Sequence, residues 1–172
     1  MKKLNALLLL FFALGYTYNL KAQNNDWISI ENAISKTDAQ HQFILVDIYT
    51  DWCGWCKKMD QTAFSDPSTL ANLKNNFVLV KLNAEGENPI NFNGKIYNPV
   101  PTGNRKTNQL ALDLGSVSGR IGYPTLVVLD NKGNKLQAFP GYKDVDTINQ
   151  LVKYFTSGSY KTMDFFTFQS KN

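Results

Sequence analysis

The 172 residues include 18 lysines and arginines, 14 aspartates and glutamates and one histidine, and 43% of them are hydrophobic. The net charge of +4 falls to +1, with 15 basic against 14 acidic residues, once the three lysines of a predicted leader are removed. No basic stripe remains that could follow a line of phosphates, which argues against nucleic acid as a partner. Two cysteines and one histidine also fall short of the about four ligands of a structural zinc site, so we expect neither a metal nor another cofactor.

The first 22 residues have the layout of a secretory signal peptide. Lys2 and Lys3 form a basic start, Leu7–Leu14 is almost wholly apolar, and Ala22 offers a small residue for cleavage. The apolar stretch is shorter than the ~20 residues that a membrane span needs. We therefore expect an exported protein, periplasmic or secreted after cleavage near Ala22, with an uncleaved N-terminal membrane anchor as the alternative.

From residue 23 to residue 172 the chain has the length of one domain, and helix and strand signals alternate along it. The apolar spacing within residues 29–40 predicts a first helix. The apolar run Phe43–Tyr49 predicts a buried strand, which Asp47 interrupts. No strand-like alternation follows, so we predict a helix that begins at or just before Cys53.

The next signals are a helix start, a strand and a change of composition. Asp66 and Pro67 are a favourable N-cap and first helical residue. Phe77–Asn83 predicts a second buried strand. From Ala84 to about Lys106 the chain is rich in Asn, Pro and Gly, and Asn93-Gly94 is a hairpin turn signal. We interpret residues 84–106 as an excursion inserted into a single domain.

After the excursion the sequence predicts a short helix that ends near Gly115, a strand over Pro124–Asp130 and an antiparallel partner strand in "NKLQAFPG". The apolar face of residues 145–155 predicts a final amphipathic helix. The tail from about residue 157 is aromatic without a pattern, and it either packs on the domain or stays loose. A βαβ unit followed by a ββα unit predicts an α/β fold with a mixed sheet and helices on both faces.

The cysteines, Cys53 and Cys56, are separated by two residues in the stretch "DWCGWCKKMD". Such a pair is a structural staple, half of a metal site or a redox couple. A loop this short removes little entropy from the unfolded chain, and a domain of this size has an adequate core without it. Together with the shortage of metal ligands, this favours the redox couple.

The start of the predicted helix gives the two sulfurs different roles. Cys53 meets free backbone N–H groups and the positive end of the helix dipole there, and both favour a thiolate. We therefore predict that Cys53 is the nucleophile. Cys56 lies one turn further along the same face, and we predict that it is more buried and resolves the mixed disulfide.

Asp47 places a carboxyl group within an apolar strand, six residues before Cys53. Burial would raise its pKa into the range useful for proton exchange with a resolving thiol. The alternative is a structural role, in which hydrogen bonds satisfy the carboxylate. Because the cysteines follow so closely, we predict proton transfer by Asp47.

The segment "ILVDIYTDWCGWCKKMD" resembles the active-site strand and helix of the thioredoxin superfamily. Trp52, Gly54 and Lys57 match the family pattern Trp-Cys-x-x-Cys-Lys, and Asp47 falls on its buried proton-transfer acid. "VLVKLNAE" resembles the following strand, with Lys81 as the partner lysine of that acid. "GYPT" resembles the loop that carries a cis-proline, here Pro124. The resemblance covers most of residues 27–155.

This resemblance implies a thioredoxin-like fold with a central mixed sheet of about four to five strands. It also implies protein-disulfide reductase or interchange activity through a redox-active Cys53–Cys56 disulfide. It further implies a cis Tyr123-Pro124 bond that presents backbone to an extended substrate, with Trp52, Trp55 and Tyr123 as an apolar docking rim. The alternative for Trp55 is packing at the surface edge. Secreted thioredoxin-like proteins and the C-terminal domain of periplasmic thiol:disulfide interchange reductases are the most similar members.

Two features depart from the family. The dipeptide Gly54-Trp55 lacks the His of oxidising and isomerising members, which predicts a reduction potential nearer about −270 mV than about −120 mV. The excursion at 84–106 is the second departure, and we expect it to affect the choice of partner.

The expected partners are protein thiols and disulfides, and an unidentified electron donor or acceptor for which a membrane thiol transporter is one candidate. An oxidase or isomerase, and a non-enzymatic binding or holdase module that uses the groove around Pro124, are the alternative functions.

Overall fold

The computed structural model describes residues 26–171, so the predicted signal peptide lies outside the described part of the chain. The strands in this range are β1 Trp27–Ile28, β2 Phe43–Tyr49, β3 Phe77–Asn83, β4 Ile90–Phe92, β5 Lys95–Tyr97, β6 Pro99–Thr102, β7 Arg105–Asn108, β8 Thr125–Asp130 and β9 Lys135–Pro140. The helices are α1 Gly54–Gln61, α2 Pro67–Asn76, α3 Gln109–Gly115, α4 Val145–Thr156 and α5 Phe165–Ser170.

Five strands form a central mixed sheet in the order β1-β3-β2-β8-β9. Strands β1, β3 and β2 are parallel, whereas β8 and β9 run antiparallel to their neighbours. Side chains alternate across β2 with a period of two: Leu45 joins the core that holds α2 and α4, and Ile44 and Val46 join the core that holds α3. The predicted mixed sheet with helices on both faces is confirmed.

Helix starts follow the local chemistry of the chain. The Asp66 carboxylate accepts the backbone N–H of Thr69 at 2.7 Å, with Pro67 in the first turn, as predicted. Asp144 caps α4 in the same way, through the N–H of Thr147 at 2.9 Å. None of the helices between residues 26 and 171 is long and apolar enough to cross a bilayer.

The first predicted helix is wrong. Residues 30–36 form two short 3₁₀ turns, Ile30–Asn32 and Ile34–Lys36, although Ile30 and Ala33 are buried as the spacing indicated. The hydroxyls of Ser35 and Thr37 each donate to a backbone carbonyl three residues earlier, at 2.8 Å. Such local bonds compete with a continuous helix.

The excursion contains two hairpins, one more than predicted, and it extends to Asn108. The first turns at Asn93-Gly94, both with positive φ, as predicted. It is held by Phe92, which is buried in the core of α3 and packs so closely on Gly133 that a Cβ there would lie 2.9 Å from the phenyl ring. The second hairpin, β6–β7, ends at Asn108, whose side chain caps α3 through the N–H of Leu110 at 2.9 Å.

The aromatic tail packs on the domain. Phe165 and Phe168 of α5 are buried, and each ring lies within 5.3 Å of the Tyr154 ring of α4. The Tyr154 hydroxyl donates to the carbonyl of Met163 at 2.7 Å, so its polar atom is satisfied in an apolar site. Helix α5 is thus part of the core on the α2 and α4 side of the sheet.

Candidate functional site

The two cysteines lie at the junction of β2 and α1, and they form a disulfide bond. Cys53 is the N-cap of α1, and its sulfur accepts the backbone N–H of Cys56 at 3.1 Å. A turn positions it there, since the Cys53 N–H donates to the carbonyl of Thr50 at 3.1 Å. Cys53 is 4% exposed and Cys56 is 1% exposed, so the disulfide lies just beneath the surface.

Asp47 lies in the middle of β2, directly opposite Lys81 of β3 and on the sheet face that carries α1. Its Oδ2 is 2.6 Å from Lys81 Nζ. Its Oδ1 is buried and has no hydrogen-bond partner among the described residues. Lys81 also binds the carboxylate of Asp60, near the end of α1. The cation therefore joins a buried acid of the sheet to a half-exposed acid of the helix that carries both cysteines.

Burial dominates the protonation of Asp47. Removal from water raises its pKa from 3.8 to about 6, although the charge and hydrogen bond of Lys81 oppose this, and the negative charge of Asp60 raises it further. For Lys81, burial lowers the pKa, but the two carboxylates outweigh it and the pKa is raised above 10.5. At neutral pH the acid is therefore poised to exchange a proton, while the lysine stays charged.

Asp60 is a residue of the site that the sequence analysis missed. It follows Cys56 by four residues, so it lies on the same face of α1. That spacing, together with the predicted lysine on β3, was a signal for its contact with Lys81.

Trp52, which immediately precedes Cys53, contacts the loop before β8. The Tyr123-Pro124 peptide bond is cis. Trp52 is more than half exposed, and its ring lies edge-to-face with Tyr123 at a centroid distance of 6.0 Å. Pro124 is buried, and β8 begins one residue later than predicted, at Thr125.

Trp55, which immediately precedes Cys56, is also more than half exposed. Its ring lies 5.5 Å from that of Tyr142, and Lys58 Nζ lies 4.9 Å and 5.4 Å from the two ring centroids. Tyr142, in the loop before α4, and Lys58 of α1 are further neighbours that the sequence analysis missed; the loop has no local motif.

Lys57 and the histidine do not join the site. The Lys57 side chain is exposed, and its backbone N–H donates to the Cys53 carbonyl within the helix. His41 contacts Asp38 and the carbonyl of Lys74 at the end of α2. Among residues 26–171, no three His, Cys, Asp or Glu side chains are grouped so as to hold a metal ion.

Residues 30–156 match the family model of the thioredoxin-like domain. A protein disulfide-isomerase of Datisca glomerata is 26% identical over 151 residues, which are 86% of this chain and 25% of that protein. A thiol:disulfide interchange protein DsbD of Photorhabdus laumondii is 25% identical over 134 residues, which are 77% of this chain and 19% of that protein. The chain thus spans a quarter or less of the length of these two relatives.

Among solved structures, a thioredoxin-fold protein from Helicobacter pylori superposes with a TM-score of 0.54 over 87% of this chain and 85% of the other. The two sequences are 16% identical, so this likeness concerns the fold alone. It confirms the predicted fold class.

Proposed function

This chain belongs to the thioredoxin-like family, and on that premise we propose that it is an extracytoplasmic thiol:disulfide oxidoreductase that works through Cys53 and Cys56 in the reducing direction. The observation that carries the proposal is the disulfide at the start of α1, with Cys53 as the N-cap. The names of the two relatives, a disulfide isomerase and a disulfide interchange protein, support the same chemistry.

The first step is attack by Cys53. In the reduced protein its thiolate would be stabilised by the helix dipole and by the N–H of Cys56. It attacks one sulfur of a substrate disulfide, so that an Sγ–S bond forms and the substrate S–S bond breaks. The second substrate sulfur leaves as a thiolate and takes up a proton.

The second step releases the substrate. Cys56 loses its proton and attacks Cys53 Sγ, and the other substrate sulfur leaves as a thiolate and takes up a proton. The protein is left with the Cys53–Cys56 disulfide, and the substrate has gained two electrons in total. Asp47 is the proposed proton acceptor. It is linked to α1 through Lys81, which binds both Asp47 and Asp60 of that helix. Its pKa of about 6 and its Oδ1, which has no partner among the described residues, suit it to take up a proton.

The proposed docking surface consists of Trp52, Trp55, Tyr123 and Pro124. Trp52 and Trp55, which immediately precede Cys53 and Cys56 in the chain, are each more than half exposed, and the Trp52 ring packs on Tyr123, whose peptide bond to Pro124 is cis. An extended substrate segment would pair with the Tyr123 backbone and bury the rings, as in strand addition to a sheet.

The reducing direction and the location rest on the sequence. No His precedes Cys56 to stabilise the Cys53 thiolate, so we propose a reduction potential nearer about −270 mV than about −120 mV. An electron donor outside the cytoplasm would then re-reduce the disulfide. Residues 1–22 support export, and mass spectrometry of the secreted or periplasmic protein should show cleavage near Ala22.

Reduction of insulin by dithiothreitol tests the activity. The wild type should accelerate precipitation of the insulin B chain, and the double variant Cys53→Ser/Cys56→Ser should not. Equal rates would overturn the enzymatic function and favour a binding module. The redox equilibrium against thiol buffers tests the direction: a midpoint near about −120 mV would instead indicate an oxidase.

A further inference from the structure

The second hairpin of the excursion contacts the rim of the exchange site. Arg105 and Thr107 alternate with exposed Lys106 along β7, so they share one face of the strand. The guanidinium carbon of Arg105 lies 4.8 Å from the ring centroid of Trp52, and the Trp52 ring in turn lies edge-to-face with Tyr123. Strand β7 thus contacts this pair of aromatic residues through Arg105.

Glu85 joins these contacts into one cluster. Its Oε2 accepts the indole N–H of Trp52 at 2.9 Å and an N–H of Arg105 at 3.0 Å. Trp52 is therefore held at its polar edge by a carboxylate and on its face by a cation, although more than half of it is exposed. The guanidinium is planar and always charged, which suits it to stack on an indole and to bind a carboxylate.

A cleft of about 680 Å³ continues from this cluster along the excursion. Glu85 and Arg105 form the wall nearest to Trp52, and Asn98, Glu87 and Lys106 line the remainder. The lining combines two acids, two bases and an amide, so it offers both hydrogen-bond donors and acceptors. This mixture suits a polypeptide backbone, whereas a site for an anion would carry a single sign of charge.

We propose, on the basis of the function proposed above, that the hairpin β6–β7 selects polypeptide disulfides. Arg105 is a positioning residue that fixes Trp52, and the adjoining cleft receives the chain that flanks the reacting cysteine of the substrate. An extended chain advances at most about 3.3–3.6 Å per residue, so several flanking residues are needed to pass from the disulfide along the cleft. A small disulfide reaches the cysteines without entering it.

The experiment compares two disulfide substrates, insulin and bis(2-hydroxyethyl) disulfide, which is small and uncharged. In Arg105→Ala the ratio of kcat/KM for insulin to kcat/KM for the small disulfide should fall roughly fivefold to tenfold, chiefly through KM. Arg105→Lys keeps the charge beside Glu85 but not the flat stacking surface, so its ratio should be intermediate.

Arg120→Ala is the matched control. Arg120 is the other arginine of the chain, it is exposed, and its bridge to Val117 is made through the backbone. Its substrate ratio should equal that of the wild type. The reduction potential of Arg105→Ala should also stay at the wild-type value, because Arg105 is proposed to act on substrate binding and not on the sulfurs.

A second measurement uses peptides that carry one cysteine as a mixed disulfide, with one, four or eight residues on either side. Exchange with the wild type should become faster as the flanks lengthen, and Arg105→Ala should lose most of that gain in rate.

Three results would overturn the inference while the exchange function stands. They are an unchanged ratio of kcat/KM for the two substrates in Arg105→Ala, an equal loss of kcat/KM with both substrates, and a gain in rate with peptide length that survives the substitution. Absence of exchange by the wild type with either substrate would overturn both.

Discussion

Asp47 and Lys81 form a 2.6 Å ion pair in which the acid is completely buried and the base is shared with a second carboxylate, that of Asp60. One cation therefore serves two anions, and the buried one is incompletely compensated. This explains why the pKa of Asp47 is raised by burial although a lysine lies in contact with it.

Asp47→Asn should stabilise the protein at neutral pH. The folded pKa of about 6 exceeds the reference value of 3.8, so the folded state retains a proton that the unfolded state releases, and the wild type loses stability as pH rises through that window. The free energy of unfolding in urea should rise by on the order of 1–3 kcal/mol at pH 7 in the variant and match the wild type below about pH 4. Asp146→Asn, at an exposed position, is the control and should not raise the free energy of unfolding at pH 7. A destabilised Asp47→Asn at pH 7 would contradict the argument.

The same substitution should slow catalysis at one step. Asp47→Asn removes the proposed proton acceptor of Cys56, so release of a mixed disulfide trapped at Cys53 should slow by on the order of a hundredfold. Formation of that mixed disulfide should be much less affected. Stopped-flow measurements of the two steps separate them, with Cys56→Ser as the reference that forms the mixed disulfide but does not resolve it. Equal slowing of both steps would indicate a structural role for Asp47.

Two neighbours should move the pKa of Asp47 in opposite directions. Lys81 lowers it and Asp60 raises it, so Lys81→Met should raise this pKa further and Asp60→Asn should lower it. Carbon-detected NMR titration of the Asp47 carboxyl group measures both. Shifts of the same sign would show that Lys81 does not couple the two acids.

Helix α5 provides a pair of phenylalanines for a test of the tail. Phe168 is 4% exposed and packs on Tyr154, whereas Phe166 is 81% exposed. Phe168→Ala should cost about 3–4 kcal/mol of unfolding free energy, and Phe166→Ala should change it by less than about 0.5 kcal/mol. Urea denaturation compares them, and equal costs would show that the tail does not contribute to the core.

The sequence predicted the elements that have strong local signals. Apolar runs identified β2 and β3, Asp66 with Pro67 identified the start of α2, and Asn93-Gly94 identified the first hairpin. The two-residue strand β1 is too short to have a pattern. The hairpin β6–β7, with the sequences PVPT and RKTN, lacks apolar alternation and so has no strand pattern. Helix α5 has six residues, and its burial depends on Tyr154, which lies eleven residues before its first residue.

The site was predictable where its residues are close in sequence or match a family pattern. The resemblance to the family gave Lys81 as the partner of Asp47, and the two residues lie directly opposite each other on β2 and β3. The contacts of Tyr142 and Arg105 were not predictable, since each depends on the side-chain packing of a loop or hairpin, whereas the spacing of Asp60 from Cys56 offered a signal for its contact with Lys81.

The excursion has residues that fix it to the domain and a second hairpin that can be exchanged. Phe92, packed against Gly133, holds its first hairpin against the domain, and Asn108, which caps α3, holds its end. The residues between Pro99 and Thr107 form one hairpin whose turn is exposed. Exchange of that hairpin between relatives would leave the core and both cysteines intact, so new substrate preferences could be installed, by evolution or by chimeric design, without a new fold.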